Sequence, residues 1–142
     1  MFFGFGLFNL EISAQAVWSA DIQIKSANLT TSPDSYKASF TIFNHWDDAA
    51  RNVLASFVIP FGAKVLSVSK GCTISPAVAP HDMNGAVYCK LGNMAVGESR
   101  IIEIKINKKF HPGRPAYFFH GFVTNESPDP DPANNVKLLK IE

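Results

Sequence analysis

Cys72 and Cys89 are the only two thiols among 142 residues, and their chemistry is the first question the chain poses. They flank a proline- and glycine-rich excursion, Pro76 to Gly85, and this arrangement suggests two strand segments stapled by a disulfide across a long loop. Closing a loop of that size would contribute about 3 kcal/mol by restricting the unfolded chain. A structural disulfide belongs to an oxidising compartment, so this reading makes the chain secreted: periplasmic, outer-membrane-associated or at the cell surface. The competing use of the same thiol is a copper site, for which His81, Met83, Cys89, Met94 and His120 supply the ligand types. Their spacing works against it. No histidine follows Cys89 until His111, and a disulfide would consume the thiolate ligand.

Asp129, Asp131 and Asn134 could offer oxygen ligands to a calcium ion, although three donors fall short of the six to eight that Ca²⁺ takes. The same run has a structural use. Asp-Pro pairs favour extended backbone before each proline, and asparagine amides tie down turns, so the segment can fix entry into a final strand. No Gly-x-Ser-x-Gly elbow, His-Glu-x-x-His helix or phosphate loop occurs, which points to a non-enzyme without a cofactor. Asn28-Leu29-Thr30 and Asn125-Glu126-Ser127 match the glycosylation sequon, the second weakened by Pro128. Thirteen basic residues against twelve acidic ones leave a formal charge of +1. Such a balance provides no global field for a polyanion and excludes nucleic acid as the expected partner.

Aromatic residues are the best pointers to a partner. Trp46 lies among charges in a connection, where a tryptophan either anchors binding or folds back over the end of the domain. The segment from Tyr117 to Phe122 is apolar on both faces, with Phe119 and Tyr117 on one and Phe118 and Phe122 on the other. A two-sided strand of this kind lies under another element or waits for one, which makes Phe119 a candidate interaction residue. Phe2, Phe3, Phe5 and Phe8 crowd an apolar amino end that is too short to span a bilayer, so no transmembrane helix is expected. Ala14-Gln15-Ala16 gives a small-x-small pattern, and residues 1–19 read either as a secretory signal cleaved after Ala16 or as a retained arm that assembles with other protein subunits.

These residues need a scaffold, and residues 20–142 provide one. Asp21 to Lys25 alternates polar and apolar side chains, as do Tyr36 to Asn44, Lys64 to Ser69 and Ile101 to Ile106, and Val53 to Ile59 and Ala86 to Leu91 read as further strands. Ala116 to Thr124 and Asn135 to Ile141 complete the set. Turn clusters such as Thr30-Thr31-Ser32-Pro33-Asp34-Ser35 and Pro60-Phe61-Gly62-Ala63 separate them, and no segment sustains a 3.6-residue period. Seven or eight strands at spacings near ten residues describe an all-β, immunoglobulin-like Greek-key β-sandwich.

Several motifs fall in order along this pattern: Ala20-Asp21-Ile22, Tyr36 to Asn44, Pro60-Phe61-Gly62, Gly71-Cys72, Cys89-Lys90-Leu91-Gly92, Ala95-Val96-Gly97-Glu98, and Asp129-Pro130-Asp131-Pro132-Ala133-Asn134-Asn135. Together they resemble the conserved-repeat immunoglobulin-like domains of bacterial and archaeal surface proteins, the domain-of-unknown-function family numbered eleven. The resemblance covers about Ala20 to Glu142. It implies a non-catalytic spacer or scaffold module and carries no catalytic residues. The expected function is therefore a structural or interaction subunit of a bacterial cell-envelope or extracellular assembly, with a monomeric ligand- or surface-binding module as the alternative.

Overall fold

The computed structural model describes residues 19–75, 85–108 and 117–141, which form nine strands and one 3-10 turn. The strands are β1 (Ala20–Thr31), β2 (Ser35–Asp47), β3 (Ala50–Val58), β4 (Val65–Val68), β5 (Cys72–Ser75), β6 (Ala86–Met94), β7 (Ser99–Asn107), β8 (Tyr117–Thr124) and β9 (Val136–Ile141). One sheet has the order β1-β2-β7-β4 and the other β5-β6-β3-β8-β9, and every paired neighbour is antiparallel. The protein is an all-β, immunoglobulin-like sandwich. Its ninth strand is β5, the short segment that carries Cys72 beside β6.

Alternation decides which side chains go inward. Ala38, Phe40 and Ile42 on β2 and Ile102, Ile104 and Ile106 on β7 are buried against Ala55 and Phe57 on β3 and Phe119 and Val123 on β8. The centre of this layer is aromatic. Phe40 lies 4.6 Å from Phe57, ring centre to ring centre, and meets Phe119 edge-on at 6.1 Å. Offset and edge-to-face pairs of this kind add about 0.5–1.5 kcal/mol each beyond the area they bury.

Bulges shift the alternation where a strand must keep its core contact. In β1 the pairing slips between Ile24 and Ser26, so Ile22 and Ile24 point inward before the slip and Ala27 and Leu29 pack on the core after it. In β3 the slip between Ala50 and Val53 coincides with Asn52 in a left-handed conformation, φ 47°. A bulge of this type inserts one residue and flips the face of those that follow.

Two polar residues tie strand ends together. Asn44 is fully buried, and its Nδ2 donates to the carbonyls of Asp48 at 2.9 Å and Met94 at 3.1 Å. Its backbone N–H donates to Glu98 O, and its carbonyl accepts from Gly97 N. Arg100 on β7 donates from Nε to Glu98 Oε2 at 2.6 Å and from its guanidinium to the carbonyls of Leu91 and Asn93 on β6. The Ala95 N–H, followed by the Arg100 guanidinium, holds the Glu98 carboxyl below its ordinary value of 4.5. This contribution is complete above the ordinary value and is lost as pH falls through the lowered one.

Close approach of the sheets depends on Gly121. A Cβ there would meet Ile24 Cδ1 and the Phe57 ring at 3.1 Å. Gly121→Ala should therefore lower the free energy of unfolding by about 1–3 kcal/mol in a urea titration, the usual cost of overpacking a core. A variant as stable as the parent would mean that the sheets have slack at this point.

Candidate functional site

The parity that sends Phe57, Val87, Cys89, Phe119 and Val123 into the core sends their neighbours outward across the five-stranded sheet. Register then aligns those neighbours in rows. Tyr88 on β6 lies opposite Ser56 on β3, Ser56 opposite Phe122 on β8, and Phe122 opposite Val136 on β9. The adjacent row runs through Ala86, Val58, His120 and Leu138. Leu54 lies between Lys90 and Thr124. An outward sheet face in water normally carries polar residues, yet here Leu54 is 48% exposed, Tyr88 53%, Val136 44% and Leu138 50%. Four large apolar side chains on one regular face make it the candidate interaction surface. A shallow cleft of about 380 Å³ lies in it, lined by Leu54, Ser56, Tyr88, Lys90 and Thr124 among others. The rings of His120 and Phe122 lie 5.1 Å apart on the same face.

Charge is distributed unevenly between the two sheets. The strands of the five-stranded sheet contain Arg51, Lys90, Lys137 and Lys140 and no aspartate or glutamate. The outer face of the four-stranded sheet carries both signs, with Lys25, Lys37 and Lys105 beside Glu103. There Lys37 Nζ sits 3.1 Å from Glu103 Oε2, Ser39 Oγ donates to the same carboxylate, and Lys25 lies over the Phe43 ring at 4.6 Å.

Cys72 and Cys89 face each other directly across β5 and β6 and form a disulfide with Cα atoms 4.0 Å apart. This staple joins neighbouring strands of one sheet. Cys89 is thus removed from the copper set, Met94 is fully buried in the core, and His120 is exposed on the outer face. His81 and Met83 lie outside the described residues, as do Phe2, Phe3, Phe5 and Phe8. Among the described residues no group of three or more His, Cys, Asp or Glu side chains is placed to hold a metal ion.

Trp46 is 56% exposed near the end of β2 and stacks parallel to His45 at 6.1 Å. It belongs to the other sheet. Phe119 requires a correction as an interaction residue. It is fully buried, edge-on to Phe40, because the inward parity of β8 falls on Phe119, Gly121 and Val123. Phe122, on the outward parity, takes the surface position instead. Leu54, Tyr88, Val136 and Leu138 are the residues that sequence reasoning missed. Their signal was the lack of any acidic residue in the strands that form this sheet.

The structure does bring Asp129, Asp131 and Asn134 together, as a clamp on β1. Asp129 Oδ2 accepts from Ile22 N and from Asn135 Nδ2, and its Oδ1 accepts from Asp131 N. Asn134 Nδ2 donates to Asp21 Oδ1 at 2.9 Å and to Asp131 Oδ2 at 3.2 Å. These donors occupy both oxygens of Asp129 and one each of Asp131 and Asp21, whereas Asn134 Oδ1 and Asn135 Oδ1 are buried without a hydrogen-bond partner; the hydrogen bonds fasten the approach to β9 onto the start of β1.

No family model and no curated protein sequence matches the chain. Among solved structures, the chitin-binding domain of Chi18aC from Streptomyces coelicolor is 16% identical with a TM-score of 0.48, covering 79% of this chain and 96% of that one. An immunoglobulin-like protein from Nocardia farcinica is 11% identical with a TM-score of 0.45, covering 87% and 97%. The bacterial hydrophobin BslA is 16% identical with a TM-score of 0.44, covering 89% and 94%. These are likenesses of fold.

Asp129→Ala removes the acceptor for three donors and should cost about 1–3 kcal/mol in thermal or urea unfolding. Millimolar CaCl₂ should leave the melting temperature of the parent chain unchanged. A rise in melting temperature with calcium, abolished in Asp129→Ala, would show an ion site in place of a clamp.

Proposed function

We propose that this chain is a non-catalytic binding module that works outside the cytoplasm, in a bacterial envelope or extracellular assembly, and engages its partner through the outer face of the five-stranded sheet. The observation that carries this reading is the alignment of Leu54, Tyr88, Val136 and Leu138, all half-exposed, on one regular surface. Burying such side chains contributes about 25 cal/mol per Å² of apolar area removed from water, so the face gains most when it is covered. The disulfide supports a setting outside the cytoplasm. No helix among the described residues is long and apolar enough to cross a membrane.

Tyr88→Asp combined with Leu138→Asp places charge on the face without touching the core. In the native host this double variant should fold with the parent's melting temperature and lose most of its association with the envelope fraction. Ile101→Asp, at a 61% exposed position on the other sheet, should fractionate like the parent. Equal retention of all three proteins would reject the face as the binding surface.

A further inference from the structure

We infer that a cleft at the β1 edge of the four-stranded sheet binds a neutral saccharide, a small-ligand site separate from the face proposed above. Before its slip, the outward parity of β1 falls on Asp21, Gln23 and Lys25, and Gln23 lies opposite Phe43 on β2. Asp131 and the 3-10 turn that follows it close another side. With His45 and Asn134 these residues line a cleft of about 430 Å³, a size typical of small-molecule sites. One group in it has more capacity than the fold uses. Asp21 is a carboxylate only 8% exposed. Its Oδ1 accepts from Asn134 Nδ2, and its Oδ2 has no hydrogen-bond partner among the described residues. What stays accessible of Asp21 lines the cleft, so Oδ2 is an acceptor offered to whatever enters there.

The chemistry of the lining selects the ligand. A metal ion is a poor occupant, because Lys25 shares the cleft and Asn134 Nδ2 already holds one oxygen each of Asp21 and Asp131. An anion would meet both carboxylates, and an apolar ligand would bury them unpaired. A pyranose matches every part. Its hydroxyls donate to Asp21 Oδ2 and to Asp131, in charge-assisted bonds about twice as strong as neutral ones. They accept from the Gln23 amide, which makes no hydrogen bond among the described residues. Lys25, held over the Phe43 ring at 4.6 Å, is a second donor at the wall. Rings supply the remaining contact. Phe43 and His45 lie 5.9 Å apart, and His45 stacks parallel to Trp46, which is 56% exposed. The C–H face of a sugar ring packs on such an aromatic surface while its hydroxyls reach the polar rim. The exposed tryptophan at the end of β2 thereby gains a use that the core does not give it.

The test is a titration of the full chain, followed by NMR, with the neutral disaccharides cellobiose, maltose and N,N′-diacetylchitobiose and with glucuronate as an anionic sugar. At least one neutral disaccharide should shift the Gln23 side-chain amide together with the His45 and Trp46 ring signals, and glucuronate should shift none of them. Gln23→Ala should weaken the binding about threefold to tenfold. Asp21→Asn, which keeps an oxygen for Asn134, should weaken it about tenfold, and so should Trp46→Ala. Lys37→Gln, on the same sheet but outside the cleft, should bind like the parent. The absence of any shift with all three disaccharides, in a folded protein, overturns the assignment. So do shifts confined to other parts of the molecule, glucuronate bound as tightly as the neutral sugars, or an equal loss from Lys37→Gln and Gln23→Ala. Shifts of the same signals with millimolar CaCl₂ and with no sugar would make the cleft an ion site and overturn it as well.

Discussion

The contact between Phe40, Phe57 and Phe119 is the constraint on which the rest of the molecule depends. It joins β2 of one sheet to β3 and β8 of the other, and it closes only because Gly121 leaves room for Ile24 and the Phe57 ring. Once those rings are inside, the pleat leaves no choice for the residues between them. Ser56, Val58, His120 and Phe122 must point away from the core, and register then sets Tyr88 and Val136 beside them. The apolar outer face is thus the reverse side of the core, positioned by the same parity.

Polar residues hold that parity in place at the ends of the strands. Asn44 joins the end of β2 to the turn before β7, and Arg100 reaches across to the carbonyls of β6. The Asp129 clamp seats the approach to β9 against β1. At the β5 edge, the Cys72–Cys89 bond fixes a strand of only four residues that backbone pairing alone would hold weakly. None of these ties uses the side chains of Leu54, Tyr88, Val136 or Leu138, which stay exposed on the outer face of the five-stranded sheet.

Much of this architecture was legible because alternation survives in the sequence. Tyr36 to Asn44 and Ile101 to Ile106 announce their faces without ambiguity, and the thiol pair announces its staple. What was hidden has physical causes. The alternation of β1 reads as ending at Lys25, because the slip between Ile24 and Ser26 moves the inward positions to Ala27 and Leu29. The segment from His45 to Asn52 reads as a polar connection, whereas β2 continues through Asp47 and β3 starts at Ala50. Polar side chains there conceal strands whose inward contact is the single buried residue Ala50. The two-sided apolar run at β8 could not reveal which face was buried, which is why Phe119 looked like a surface residue. The proposed binding face was the least legible part. It is assembled from strands distant in sequence, and a formal charge of +1 conceals a sheet whose strands hold no acidic residue.

The outer face of the five-stranded sheet is proposed to meet another surface, and the outer face of the four-stranded sheet is not. Photocrosslinking in the native setting tests it most directly, with a benzophenone side chain installed in place of Tyr88 and, in a second protein, in place of Lys37. Adducts from position 88 with only background from position 37 are the predicted result. Equal yields from the two positions, or none from position 88 in a correctly folded protein, would contradict it.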